Sequence, residues 1–207
     1  MRSCQGTSKP KTSDGQAPDL LFWRCGRYNV GVVCQPLPLS TGLTLMFEQL
    51  GTLQEFQLGY IKMLAADLDD ADLGVAPFPG ANPPVWILGH LAVATDYAGR
   101  MLGLRPECPR EWHKYFAPGT SPAEVPQPYP TKAELMAAIE NGCRRCVAAL
   151  PSADVAALNQ PHAVELLKRS NLKTNADVLC HLMATHAAFH VAQLSACRRG
   201  KGLGPVV

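Results

Sequence analysis

The sequence predicts an all-α protein, a four-helix bundle with a long proline-rich crossover connection and an irregular N-terminal extension. Three observations carry that reading. Proline removes a backbone donor and clashes inside a helix, and the 18 prolines leave four long proline-free windows at 39–76, 85–105, 131–150 and 162–204. Each window repeats apolar residues at the three-or-four spacing of one helix face, and no alternating strand pattern competes. A composition of 47% hydrophobic and 17% charged residues supplies the apolar surface for one core in 207 residues. Four amphipathic stripes must then be buried against one another.

In the first window Met46, Leu50, Leu53, Gln57, Tyr60 and Leu64 line one face. The second opens with Asn82 as the expected N-cap and with Pro83 and Pro84 in the first turn, where a missing N–H costs nothing. It continues through Trp86, His90, Val93, Tyr97 and Met101 to Gly103, a C-terminal stop. The third begins with Thr131 and Glu134 at capping-box spacing and carries Met136, Ile139, Cys143, Cys146 and Leu150. In the fourth, Thr174 and Asn175 are the expected caps ahead of two adjacent rows. One row is Val178, Leu182, Thr185, Phe189 and Ala192; the other is Leu179, Met183, His186, His190, Gln193 and Cys197. The connections 67–82 and 151–172 are moderate, whereas 104–130 holds seven prolines and forms the crossover.

Residues 1–40 differ in kind, being rich in Ser, Thr, Gly and Lys with a short apolar patch at 20–33. They read as an N-terminal extension, disordered or foreign to the mature protein because Met46 could equally start the bundle, which occupies 41–207. The net charge of +2 resolves into five Lys/Arg against two Asp/Glu in 1–40 and fourteen against fifteen in 41–207. A neutral body lacks the clustered cations that track phosphates, so no nucleic-acid partner is expected. The most apolar stretch, 84–103, is interrupted by His90, Asp96 and Arg100, which argues against a membrane span. Polar residues at 3–16, where a signal peptide needs an apolar run, point away from export and toward the cytoplasm. Eight cysteines are too few for a disulfide scaffold of this length, so reduced thiols are expected.

Three of the six histidines fall on apolar stripes. His186 and His190 are four apart on the last helix, which puts their Cβ atoms about 5–6 Å apart. His90 sits mid-stripe on the second. Burying three imidazoles without partners costs about 1–3 kcal/mol for each unsatisfied group. A divalent transition metal removes that cost, since it binds neutral imidazole nitrogens and an i,i+4 pair plus one residue from a facing helix delivers three ligands. The alternatives are ordinary core or capping histidines, or a solvent-facing pair. Ala187 stands where a zincin would carry its general-base glutamate, which disfavours peptide hydrolysis.

The segment Asn82-Pro-Pro-Val-Trp86-Ile-Leu-Gly89-His90-Leu91, followed far along the chain by His181-Leu-Met-Ala-Thr-His186-Ala-Ala-Phe-His190-Val-Ala-Gln193, resembles the DinB/YfiT superfamily. The resemblance covers residues 44–204, helix order and long middle connection included; residues 1–40 have no counterpart. It implies a four-helix bundle, often a homodimer, with a metal held by His90, His186 and His190. Gln193 would support a ligand or pack the helix, and Ala192 replaces a glycine common in the family. The expected ion is Zn, Ni, Mn or Fe, and three imidazoles do not decide among them. Members with known activities use the metal to deprotonate a thiol, then pass the thiolate to an electrophile or assist an isomerisation. The resemblance thus implies a metal-dependent thiol transferase whose partners are a small-molecule thiol and a small electrophile. A bound cation stabilises thiolate and makes this chemistry feasible near neutral pH. The competing expectation is a non-catalytic metal-binding or dimerising bundle with a stress-related role.

Other features have plainer readings. Cys143 and Cys146 form C-R-R-C inside a helix with no strand nearby, which reads as core packing rather than a redox pair. His181 lies five residues before His186, 140° around a regular helix, and is expected to face elsewhere. His113 and His162 belong to connections. Tyr60 is a core aromatic or, alternatively, a substrate-binding hydroxyl near the metal. Gln57, Tyr60 and Asp96 are the few polar residues expected around the His90 face.

Overall fold

The structure, a computed structural model, describes the backbone over residues 39–206 and the side chains over residues 46–206. Of the expected N-terminal extension, 1–38 lie outside the described residues. The helices are α1 Leu39–Ala66, α2 Pro84–Met101, the short α3 Trp112–Tyr115, α4 Lys132–Ala149, the short α5 Val155–Leu158, α6 Asn175–Cys180 and α7 Ala187–Gly200. A π-helical turn, His181–His186, joins α6 to α7, so these three pieces form one continuous fourth bundle helix. No strand occurs among the described residues; Pro161 and Thr174 form an isolated antiparallel bridge. No described helix is long and apolar enough to cross a membrane.

Helices α1 and α2 each pack against both α4 and α7, so α4 and the composite fourth helix separate them. α2 is the central element. From Pro84 to Ala94 every side chain is buried, which makes it an enclosed helix rather than an amphipathic one. Its start also differs from expectation: Pro83 occupies the N-cap position and Pro84 the first helical position, while the Asn82 carbonyl lies 3.6 Å from the Cys197 thiol that donates to it. Gly103 closes the helix as expected. At φ +77° it allows its own N–H to reach the Arg100 carbonyl at 3.1 Å and the Leu104 N–H to reach Gly99 at 2.8 Å, the two bonds of a Schellman motif.

Thr131 and Glu134 make the expected capping box on α4. Thr174 caps α6 with Asp177 completing a second box, and Asn175 is the first helical residue, its amide donating to Ala157. One stripe is rotated from its expected face. On α1 the buried row is Phe47, Leu50, Gln54, Gln57, Ile61 and Leu64, leaving Leu53 47% exposed. Both rows are apolar enough to be buried, and packing selects the one whose Gln54 Nε2 can donate to Cys143 Sγ at 3.0 Å. On the fourth helix the second expected row is the more enclosed, with Leu179, Met183, His190 and Cys197 buried and Gln193 exposed, while Thr185, Phe189 and Ala192 of the first row face out.

The crossover is held by Asp96. Its buried carboxylate accepts the Glu107 and Cys108 backbone N–H groups and His113 Nε2, each at 2.9 Å. This satisfies a buried charge and pins residues 107–113 to α2. His162 is also structural, its Nε2 donating to the Leu172 carbonyl and its Nδ1 accepting from Val164.

Close approach of α2 and α4 requires Gly142, where an added Cβ would stand 1.8 Å from Thr95 Oγ1 and 2.5 Å from Thr95 Cβ. Gly59 on α1 is the converse case, with no atom within 4 Å of an added Cβ. Gly142→Ala is expected to lower stability by about 2 kcal/mol. Gly59→Ala should raise it by about 0.5–1 kcal/mol through helix propensity alone. Urea unfolding followed by circular dichroism checks both signs.

Candidate metal centre

His90, His186 and His190 converge between α2 and the fourth helix, each offering a ligand nitrogen within 4.8 Å of the other two. His90 and His190 are buried, at 4% and 8% exposure. The ring centroids of His186 and His190 are 4.6 Å apart, and His90 stands 4.6 Å from His190 and 5.0 Å from His186.

The residues around His90 explain the W-x-x-G-H pattern. Trp86, one turn earlier, stacks on the His90 ring at 4.6 Å and 9°, and its Nε1–H donates to Thr120 Oγ1 at 3.1 Å. Gly89 lets the Phe116 ring reach the helix, since a Cβ there would meet that ring at 2.6 Å. With Phe116 seated, its backbone carbonyl accepts the His90 Nδ1–H at 2.6 Å. A carbonyl can only accept, so His90 carries its proton on Nδ1 and presents the Nε2 lone pair inward. His190 follows the same logic, because the expected supporting residue Gln193 places Oε1 3.0 Å from His190 Nδ1. Carbonyl partners of this kind set the tautomer and orientation of metal-ligating histidines.

His186 supplies the test of fit. Its Nε2 stands 3.0 Å from His90 Nε2, whereas its Nδ1 is buried without a partner. If the proton sits on Nδ1 two lone pairs oppose each other; if it sits on Nε2 a buried acceptor is orphaned. A cation on the inward nitrogens removes the first conflict, and a 3.0 Å separation suits adjacent ligands about 2.0–2.1 Å from one ion. Burial and the neighbouring imidazoles push His186 down to about 3, burial and His90 push His190 down to about 4, and burial also lowers His90. All three are therefore neutral near pH 7 and able to bind metal.

The π turn changes the place of His181. In a π turn residue i bonds to i+5, so residues five apart stack along the axis. The His181 ring accordingly lies edge-on to His186, centroids 5.6 Å apart, rather than on another face as a regular helix predicts. Its Nδ1 is 2.7 Å from Thr185 Oγ1. Gln57 supports the wide turn by donating from Nε2 to the Ala184 carbonyl at 2.9 Å, a role invisible in the sequence because it depends on a turn that regular periodicity does not foresee. His181 and His186 lie in the wall of an open cleft of about 770 Å³, bordered by the C-terminal half of α2, the crossover and the 155–167 connection.

The remaining candidates take structural positions. Tyr60 is half-buried with its ring centroid 6.1 Å from Phe56, and Tyr97 is the tyrosine that borders the cleft. Asp96 and His113 bind each other. Burial pushes the Cys143 and Cys146 thiols up to about 11 and about 12, which makes them poor nucleophiles.

Among known proteins, the DinB superfamily matches the chain over residues 55–194. The crystal structure of the conserved protein of locus from Enterococcus faecalis is similar at a TM-score of 0.48 and 16% identity, covering 81% of this chain and 100% of that one. No curated protein matches.

The unfolded chain, with imidazoles near the ordinary value of 6.5, binds protons that the buried His186 and His190 refuse until about pH 3 and 4. Their contribution is thus present above about pH 6.5 and is lost progressively as the pH falls from there through about 4 and on to about 3. Protein stripped by a chelator should lose Tm steeply between pH 6.5 and 4.5, and His186→Phe should flatten that dependence. Parallel thermal-unfolding curves for the two proteins would contradict it.

Proposed function

The chain belongs to the DinB superfamily, and on that premise we propose that it is a divalent-metal protein that activates a small-molecule thiol for transfer to a small electrophile. The observation that carries this reading is the trio of neutral imidazoles whose nitrogens gather within 4.8 Å of one another, one of them, His186, lining an open cleft. Three protein ligands leave coordination positions free for a substrate, as catalytic sites do and closed structural sites do not. A divalent ion bound there would stabilise a thiolate near neutral pH.

The chain's own residues perform the remaining tasks. His90 and His190 are held in one tautomer by Phe116 and Gln193, so their lone pairs need no reorganisation on binding. Trp86 covers one face of His90 and keeps water from it. The cleft presents His186 to incoming molecules between largely apolar walls. Ion identity among Zn, Ni, Mn and Fe is set by availability as much as by three imidazoles.

Two further parts of the reading have support. The outward face of α1 exposes Leu53 (47%), Phe56 (66%) and Met63 (43%), an apolar row of the kind a second copy covers in a homodimer. Among the described residues the five cysteines are free thiols, which fits a reducing cytoplasm.

Elemental analysis of the purified protein is expected to find about one metal per chain, and His186→Ala should remove it. With a panel of low-molecular-weight thiols and a reactive electrophile, His90→Ala should cut the transfer rate at least about 100-fold. A protein that stays metal-free after incubation with Zn, Ni, Mn or Fe, or equal rates for wild type and His90→Ala, rejects the proposal.

A further inference from the structure

The cleft beside His186 carries a second recognition element on its wall. Two charged residues border it, Glu165 and Arg100. Glu165 is already paired with Lys168. Arg100 takes part in none of the ion pairs among the described residues. Its guanidinium instead lies 5.3 Å above the Tyr97 ring, which also borders the cleft. Stacking on an aromatic face holds the planar guanidinium while leaving its N–H fork free. Around it the wall is apolar: Met101, Leu166, Leu167, Val178 and Leu182 contribute, and Leu166 stands 71% exposed. One oriented cation in an apolar cleft selects a ligand with an apolar body and one anionic end.

We propose that the cleft takes an apolar molecule bearing a carboxylate, with Arg100 gripping the carboxylate and the apolar body lying along Leu166 and Leu182 toward His186. This rests on the thiol-transfer reading only in naming that molecule as the electrophilic substrate; the binding itself needs no metal. Arg100 is thus a specificity-determining residue. It sits at the C-terminal end of α2, one turn beyond Asp96, so the helix that supplies His90 also sets the distance between the reacting end and the anionic end.

The test is direct binding by isothermal titration calorimetry with octanoate and its neutral counterpart octanamide, on the full-length, metal-loaded protein. Octanoate should bind about tenfold more tightly. Arg100→Ala should abolish the preference, and Arg100→Lys should keep part of it because charge survives while the fork is lost. Arg100 is exposed, so neither change threatens the core. The preference should also persist in His186→Ala. Equal affinity for the two probes, no binding of either, or a preference untouched by Arg100→Ala overturns the proposal. A preference lost in His186→Ala but kept in Arg100→Ala assigns the carboxylate to the metal and overturns it while leaving the metal reading intact. Conversely, an Arg100-dependent preference in a protein without thiol-transfer activity would sustain this inference and reject only the reaction.

Discussion

The hydrogen bond from His90 Nδ1 to the Phe116 carbonyl is the contact on which the site depends. It decides which nitrogen of His90 carries the proton, and so whether a lone pair faces His186 and His190. The bond exists only because the crossover is held against α2, and several residues hold it there. Gly89 admits the Phe116 ring, Trp86 donates to Thr120, and the Asp96 carboxylate gathers the backbone at 107 and 108 together with His113. The proline-rich connection is therefore part of the site rather than a spacer between helices.

The wide turn in the fourth helix plays the corresponding part on the opposite wall. In a regular helix His181 would face away from His186; with the π turn the two rings stand edge-on to one another in a T-shaped contact at the cleft. Such a turn leaves backbone groups in irregular positions, and the amide of Gln57 from α1 meets one of them at Ala184. π turns inside helices are frequent at functional sites, and here the turn coincides with the place where imidazoles meet open space.

Much of the fold was legible because helix periodicity and proline placement are local signals. The four windows, the capping box at Thr131 and the stop at Gly103 follow from spacing and backbone chemistry within a few residues. The three histidines were legible for the same reason, standing on stripes where a lone imidazole is costly. What was not legible depends on contacts between distant segments. The choice between two apolar rows on α1 was made by the neighbours of α1, and the role of Asp96 emerged only when residues eleven to seventeen positions away folded back onto it. The π turn left a faint trace: Leu179, Met183 and Ala187 are buried at successive steps of four. Each such step drifts by about 40° in a regular helix, and the wide turn absorbs that drift.

Burial, tautomer and spacing all lead to one central claim, that three neutral imidazoles are preorganised to hold a single divalent ion. X-ray absorption at the metal edge of the Zn-loaded protein tests it most directly. The account predicts a first shell of nitrogen and oxygen near 2.0–2.1 Å with outer-shell scattering from three imidazoles, falling to two in a His190→Ala variant that still retains some ion. A sulfur first shell, or outer-shell scattering unchanged by His190→Ala, would contradict it.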